Sequence, residues 1–222
     1  MIGAGEVLVN EQTADKAGVA YPVDIAIRTK QKCRYVSRGG LKLERGLEAF
    51  EVDPTGMCCL DVGASSGGFT DCLLQHGAAK VYAVDVAYGQ LDWKLRSDNR
   101  VVVIERFNAR KLQLSDLGEP VQLAVMDTSF ISITKIIPAL LPLFRDQAQL
   151  IALIKPQFEL AQHKVGKGGV VREPELHQEA IDKIVDFAAS LNLLVAGVVT
   201  SPILGPKGNT EFLIHLKGQA SG

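Results

Sequence analysis

Short apolar runs alternate along this chain with stretches whose apolar residues recur at helical spacing. Met57-Cys58-Cys59-Leu60, Val81-Tyr82-Ala83-Val84, Val101 to Glu105, Val121 to Met126 and Gln149 to Lys155 read as buried strands. Leu41, Leu43, Leu47 and Phe50, with Lys42, Glu44, Arg45 and Glu48 between them, predict an amphipathic helix. Further helices are expected from Gly68 to about Gln75, over Ile131 to Phe144, and over Pro174 to Leu191. The last carries the stripe Leu176, Ala180, Ile181, Ile184, Val185, Ala188 and Leu191, and starts on a proline whose missing N–H costs nothing there. Two closing strands, Leu194 to Thr200 and Glu211 to Leu216, flank a Gly/Pro-rich loop. Seven strands alternating with helices in this way predict an α/β fold with a doubly wound, mostly parallel sheet.

The opening stretch has a different texture. Gly3 to Asn10, Lys16-Ala17-Gly18 and Val23 to Ile27 read as short strands joined by turns, in a segment too short to own a core. The chain is therefore expected to hold a partial N-terminal module over residues 1–30 and one main domain over 31–218. From Arg28 to Arg45 it carries Arg28, Lys30, Lys32, Arg34, Arg38, Lys42 and Arg45 against the single acid Glu44. Such a run can neutralise several phosphates, although a solvated linker and helix face would look the same. The net charge of −1 excludes a wholly basic nucleic-acid binder, so any RNA affinity has to be local. Four cysteines form no C-x-x-C pair and four histidines show no ligand spacing, so neither zinc nor a disulfide framework is expected. The chain opens on no charged-then-apolar leader, and Lys135, Pro138 and Pro142 interrupt its most apolar stretch. A cytoplasmic setting without membrane attachment is the expectation.

Chemistry concentrates where strands end. Asp61-Val62-Gly63-Ala64-Ser65-Ser66-Gly67-Gly68-Phe69-Thr70 leaves one strand and enters a helix. Its glycines permit a sharp turn and close backbone approach to a ligand, and the helix start offers unpaired N–H groups. The spacing is neither G-x-G-x-x-G nor a phosphate-cradling loop, and the acid before the first glycine suits a cationic amine better than a pyrophosphate. Asp85 ends the next strand, where such sheets place a carboxylate for ribose hydroxyls. Asp127 and Lys155 end two later strands, in Met126-Asp127-Thr128-Ser129-Phe130-Ile131-Ser132 and Ile154-Lys155-Pro156-Gln157-Phe158-Glu159. Lys42 on the leading helix and Glu211 in Gly208-Asn209-Thr210-Glu211-Phe212 complete a set Lys, Asp, Lys, Glu. A basic, glycine-rich loop, Gln162 to Arg172, follows Lys155 and is a candidate to close over an RNA phosphate.

Together with Ser37-Arg38-Gly39-Gly40-Leu41-Lys42-Leu43, these motifs resemble the TlyA-type members of the FtsJ/RrmJ-like ribosomal RNA 2′-O-methyltransferases, which also carry the label haemolysin. The resemblance covers essentially the whole chain. It implies a Rossmann-like class I methyltransferase fold and methyl transfer from S-adenosylmethionine to a ribose 2′-hydroxyl, of a cytidine in ribosomal RNA or a ribosomal subunit. It carries a catalytic tetrad onto Lys42, Asp127, Lys155 and Glu211. Its cofactor contacts fall on Asp61, Gly63, Ser65, Gly67, Gly68 and Phe69, with Asp85 at the ribose and Asn108 near the adenine. RNA contacts are expected at Arg28, Lys30, Lys32, Arg34, Arg38, Lys164 and Lys167. The leader, with its G-x-V-x-V-N-x-x-x-x-K-x-G pattern, resembles the second half of the ribosomal-protein-S4-like RNA-binding module, and a natural reading frame starting further upstream is the corresponding expectation. The alternatives are a nicotinamide-dependent oxidoreductase, a membrane-acting cytolysin and a non-catalytic RNA-binding protein.

Overall fold

The computed structural model describes residues 7–10, 12–14, 16, 18–29 and 33–219, and the chain divides into two compact units, Met1–Arg34 and Tyr35–Gly222. In the first, β1 (Val7–Val9) pairs antiparallel with β2 (Gln12–Thr13) on one side and β3 (Ile27–Thr29) on the other. Val9 and Ala14 are buried, whereas Val19, Tyr21, Val23 and Ile27 are exposed, so this sheet encloses little apolar volume. The strand expected over Val23 to Ile27 begins only at Ile27. Pro22 starts a turn instead, its carbonyl accepting from the Ile25 N–H at 3.2 Å.

The second unit is built on a seven-stranded sheet in the order β6-β5-β4-β7-β8-β10-β9. Its strands are β4 (Cys58–Val62), β5 (Lys80–Val84), β6 (Val101–Ile104), β7 (Leu123–Met126), β8 (Gln147–Ile154), β9 (Leu194–Thr200) and β10 (Phe212–Gln219). β4 to β8 run parallel, and β10 slots antiparallel between β8 and β9. This is the doubly wound Rossmann-like architecture that the strand–helix alternation predicts.

Side chains that alternate along each strand feed two separate cores, which is why the central strands are largely apolar. Leu60, Val62, Ala124, Met126, Ala152 and Ile154 face a core completed by Ala180, Ile184 and Ala188 of α7 (Pro174–Ser190). Cys59, Leu123, Val125, Ile151 and Leu153 face the other. That second core is completed by Leu43 and Leu47 of α1 (Gly39–Ala49) and Phe69, Cys72 and Leu73 of α2 (Gly68–Gln75). Burying a side chain as completely as Leu43 or Leu73 contributes about 1.5–3 kcal/mol each.

Short helical pieces fill the remaining connections: α3 (Trp93–Arg96), α4 (Leu114–Leu117), α5 (Ile137–Leu140) and α6 (Pro156–Glu159). The single helix expected over Ile131 to Phe144 is instead α5 between two 3-10 turns, Ile133–Lys135 and Leu141–Leu143. Pro138 and Pro142 each stand near the start of a piece, where a proline lacks no needed N–H, and each would break a continuous helix. From β4 the chain winds outward to β6 and then returns to β7 on the other side of β4. The reversal opens a crevice beyond the carboxyl ends of β4 and β7, the place where open α/β sheets hold ligands.

Candidate active site

Two adjoining clefts of about 490 Å³ each occupy that crevice, and both are lined by Gly63, Ser65, Asp127, Ser129 and Phe130. The loop between β4 and α2 forms their shared floor. Gly63 sits at φ +82°, and a Cβ there would lie 2.7 Å from the carbonyl oxygen of Asp127, so only glycine lets the β4 and β7 ends approach. Gly67, at φ +95°, caps α2, and Ser65 takes the same left-handed region at φ +49°. Asp85, at the end of β5, accepts from the Ser65 N–H at 2.7 Å and the Ala87 N–H at 2.8 Å. Two main-chain donors thus fix its carboxylate, which faces the second cleft with lone pairs left over. Val86, Phe107 and Ile136 supply apolar walls there, and Asn108 lines the same cleft while its Oδ1 accepts from the Arg110 N–H at 3.1 Å. Phe69 and Gly68 line the first cleft, at the start of α2.

These residues fit S-adenosylmethionine: a glycine-rich turn lining both clefts, a fixed carboxylate with lone pairs left over and an apolar slot match its aminoacyl chain, ribose and adenine. Asp61 stands apart. It is fully buried and lines neither cleft. Thr70 Oγ1 donates to its Oδ2 at 2.7 Å, whereas Oδ1 is buried with no hydrogen-bond partner among the described residues. Burial, reinforced by the Asp127 and Asp85 carboxylates and opposed by Thr70, pushes the Asp61 carboxyl up to about 7. Through Thr70, Asp61 ties β4 to α2 beneath the loop, with its second oxygen left over.

The first cleft continues past the glycine loop to Lys42, Asp127, Lys155 and Glu211. Asp127 and Lys155 directly follow β7 and β8, and Glu211 directly precedes β10. Because β10 runs antiparallel beside β8, Phe212 pairs with Ile154, which sets Glu211 beside Lys155 at the same sheet edge. Lys42 arrives from α1, whose start presses on that of α2. A Cβ on Gly68 would lie 2.3 Å from Ser37 Oγ and 2.8 Å from the Gly40 N, so the Ser37-Arg38-Gly39-Gly40 turn needs a glycine opposite it. Lys42 Nζ donates to Glu211 Oε2 at 2.6 Å and lies 3.8 Å from Asp127 Oδ2. Lys155 Nζ lies 2.5 Å from Asp127 Oδ1 and donates to Ser129 Oγ at 3.0 Å. The Lys155–Asp127 contact is a close ion pair that lacks hydrogen-bond alignment. Two lysines and two carboxylates, nearly all buried, thus meet in one network at the mouth of the glycine loop.

The expected RNA-contact residues are dispersed. Arg38 lines the first cleft, and Lys167 is exposed on the loop after α6. Lys164 pairs with Glu179 of α7, both of whose oxygens lie 2.6 Å from its Nζ, and the pair is partly exposed. Arg34 is exposed at the end of the first unit, Arg28 lies on β3 with only its main chain described, and Lys30 and Lys32 lie outside the described residues. Tyr35 is buried and its hydroxyl donates to Glu44 Oε1 at 2.9 Å, so it packs instead of stacking on a base.

Three residues that sequence reasoning passes over emerge at the site. Phe130 is 90% exposed beside the tetrad, at φ +66°, with its ring 5.2 Å from that of Phe158. A bulky residue held in the left-handed region costs about 1–3 kcal/mol, a strain characteristic of functional loops. Asn209, buried, accepts from the Val171 N–H and donates to the Gly169 carbonyl, each at 2.9 Å, and so pins the basic loop beside Glu211. Glu159 accepts from the Ile133 N–H at 2.9 Å and from Ser132 Oγ, locking the Asp127 loop to the Lys155 segment. For Asn209 and Glu159 the only sequence signal is a place inside a distinctive turn; for Phe130 the signal, a positive φ, is not written in its side chain. Among the described residues no helix is long and apolar enough to cross a membrane, and no group of three or more His, Cys, Asp or Glu is placed to hold a metal ion.

Comparison with known proteins accords with this geometry. The chain is 46% identical over 224 residues to the candidate rRNA methyltransferase YqxC of Bacillus subtilis, covering 100% of this chain and 79% of YqxC. It is 44% identical over 221 residues to the 16S/23S rRNA (cytidine-2′-O)-methyltransferase TlyA of Mycobacterium tuberculosis, covering 99% of this chain and 82% of TlyA. A solved structure of a candidate hemolysin from Streptococcus thermophilus superposes with a TM-score of 0.84 at 42% identity, over 100% of this chain and 81% of that one. Residues 35–218 match the FtsJ-like methyltransferase family, and the chain belongs to it.

Proposed function

We propose that this protein transfers the methyl group of S-adenosylmethionine to the ribose 2′-hydroxyl of a cytidine in ribosomal RNA. The observation that carries the reading is the Lys42–Glu211 and Lys155–Asp127 network opening into the same cleft as the glycine loop. Relatives at 44–46% identity that bear rRNA methyltransferase names support the choice of substrate class.

When bound, S-adenosylmethionine supplies a methyl group already activated on a sulfonium. The work left to the chain is to hold the cofactor, align the acceptor oxygen and take its proton. Gly63, Ser65, Gly67, Gly68 and Phe69 hold the aminoacyl end, Asp85 the ribose hydroxyls and Asn108 the edge of the adenine. Lys155 receives or orients the acceptor hydroxyl, Asp127 sets Lys155, and Glu211 sets Lys42. Alignment of this kind supplies up to about 7–11 kcal/mol. Exposed Phe130 presents a π face at the cleft mouth against which an unstacked base fits. Arg38 and Lys167, together with the run from Arg28 to Arg34, contact phosphates and contribute affinity that falls steeply with salt. Residues 1–30 act as part of an S4-like RNA-binding module, the main domain beginning at about residue 31.

The experiment is to incubate purified protein with labelled S-adenosylmethionine and ribosomal subunits and to map 2′-O-methyl positions. The protein should mark discrete cytidines, and Lys155→Ala should bind the cofactor by calorimetry yet mark none. A Lys155→Ala protein that methylates at the wild-type rate would overturn the assignment.

A further inference from the structure

The four charged residues of the network are not its most accessible polar groups. Lys42, Lys155 and Glu211 are 6%, 7% and 1% exposed, and the Asp127 side chain is 21% exposed. Each charge is already engaged by another, through Lys42–Glu211 and Lys155–Asp127. Ser129, by contrast, is exposed and lines both clefts, so it stands where the cofactor half and the acceptor half of the crevice meet. Its Oγ lies 3.0 Å from Lys155 Nζ. No other hydrogen bond involves its hydroxyl among the described residues; beside a Lys155 amine the contact reverses, the Ser129 hydrogen pointing to Nζ and the Oγ lone pairs left for a visitor's O–H. The strained Phe130 follows directly, and the turn it makes is pinned downstream by Glu159 through Ser132 and Ile133. Ser129 is therefore a fixed hydroxyl on the path from the open cleft to a buried amine.

We propose that Ser129 is a further catalytic residue: its hydroxyl contacts the acceptor hydroxyl and relays the acceptor's proton to Lys155. The inference rests on the methyl-transfer reading above and deepens it. Once Lys155 has given up a proton to solvent and stands as an amine, the acceptor O–H bond breaks as that oxygen gains its bond to the methyl carbon, whose bond to the sulfonium sulfur breaks to leave a neutral thioether, and the proton passes to Ser129 Oγ. In the same event the Ser129 O–H bond breaks and its proton passes to Lys155 Nζ. The serine ends as it began, Lys155 ends as an ammonium beside Asp127, and solvent later removes its proton. The geometry favours this route over direct transfer, because a hydroxyl attached to a bulky RNA chain meets the exposed Oγ before the nearly buried Nζ.

The test uses the full chain with ribosomal subunits, in single-turnover rates, comparing Ser129→Ala, Ser129→Thr and Lys155→Ala. Calorimetric affinity for S-adenosylmethionine and the melting temperature should match wild type in both Ser129 variants. Ser129→Ala should lose roughly 10²-fold or more in the transfer rate with little change in half-saturating RNA, as expected for loss of a general acid–base group. Ser129→Thr, which keeps the hydroxyl, should recover most of that. In mixtures of H2O and D2O the wild-type rate should depend on deuterium fraction along a bowed curve, indicating two protons in flight, and Ser129→Ala along a straight one. A Ser129→Ala rate near wild type, with Lys155→Ala inactive, overturns the relay and leaves the tetrad standing. A slow Ser129→Ala with a straight wild-type curve also overturns it, reducing Ser129 to a group that positions Lys155. An active Lys155→Ala overturns the tetrad reading and the relay together.

Discussion

Replacing Glu211 by alanine tests whether the network is held for its chemistry or for stability. The Lys42 and Glu211 side chains are 7% and 0% exposed and meet at 2.6 Å. Without Glu211 the Lys42 ammonium stays buried, with Asp127 at 3.8 Å as its nearest carboxylate among the described residues. Breaking one side of a buried pair costs about 3–5 kcal/mol, chiefly the desolvation of the charge left behind. In a domain of this size each kcal/mol lowers the melting temperature by about 2–4 °C, so a fall of roughly 6–20 °C is expected. Replacing both residues by methionine removes the stranded charge and should restore most of that loss, since a buried pair is often no more stabilising than apolar side chains of similar volume. Both variants should fail to transfer methyl groups. Circular-dichroism melts of the wild type, Glu211→Ala and Lys42→Met/Glu211→Met decide the matter, with transfer assays beside them. If Glu211→Ala melts within about 2 °C of wild type, or if the double variant is no more stable than the single, the argument from buried charge is wrong.

Two further outcomes follow from the site. Asp85→Ala should weaken S-adenosylmethionine binding by about 1.5–3 kcal/mol, because a charge-assisted acceptor is lost; calorimetry on a folded variant that shows unchanged affinity would remove the ribose role from Asp85. Asp61, pushed up to about 7 by burial from an ordinary 3.8, binds more protons folded than unfolded between those values, so its contribution to stability falls as pH rises through that window, by up to about 4 kcal/mol. Asp61→Asn should flatten the decline, and urea midpoints measured from about pH 5 to 8 that run parallel in the two proteins would contradict the burial argument.

The sheet was legible in the sequence because its central strands are covered on both faces and so are written as largely apolar runs. Asp127, Lys155 and Glu211 were legible as a set only through their turns; no periodicity announces that Glu211 will lie beside Lys42, because β10 finds its place through pairing with β8 and β9. The span Ile131 to Phe144 misled because its apolar spacing is helical while Pro138 and Pro142 forbid one continuous helix. Asp61 carries the pattern of a ligand-facing acid, yet the alternation of β4 turns its side chain into the layer beneath the loop, where Thr70 meets it. Lys164 belongs to a basic run by composition, and its ion pair with Glu179 of α7 is not written in that run.

The separation of 169 residues between Lys42 and Glu211 also orders events during synthesis. Every residue proposed to hold the cofactor, from Gly63 to Asn108, leaves the ribosome well before Phe212–Gln219, the strand that must insert between β8 and β9. Chains are made at about 5–20 residues per second, and long-range closures form late because their loop entropy is paid before any contact rewards it. A growing chain therefore acquires a cofactor cradle first and its acidic partner for Lys42 last. Assembly of the charged network is thus the late step, and it waits on one strand finding its slot between two others.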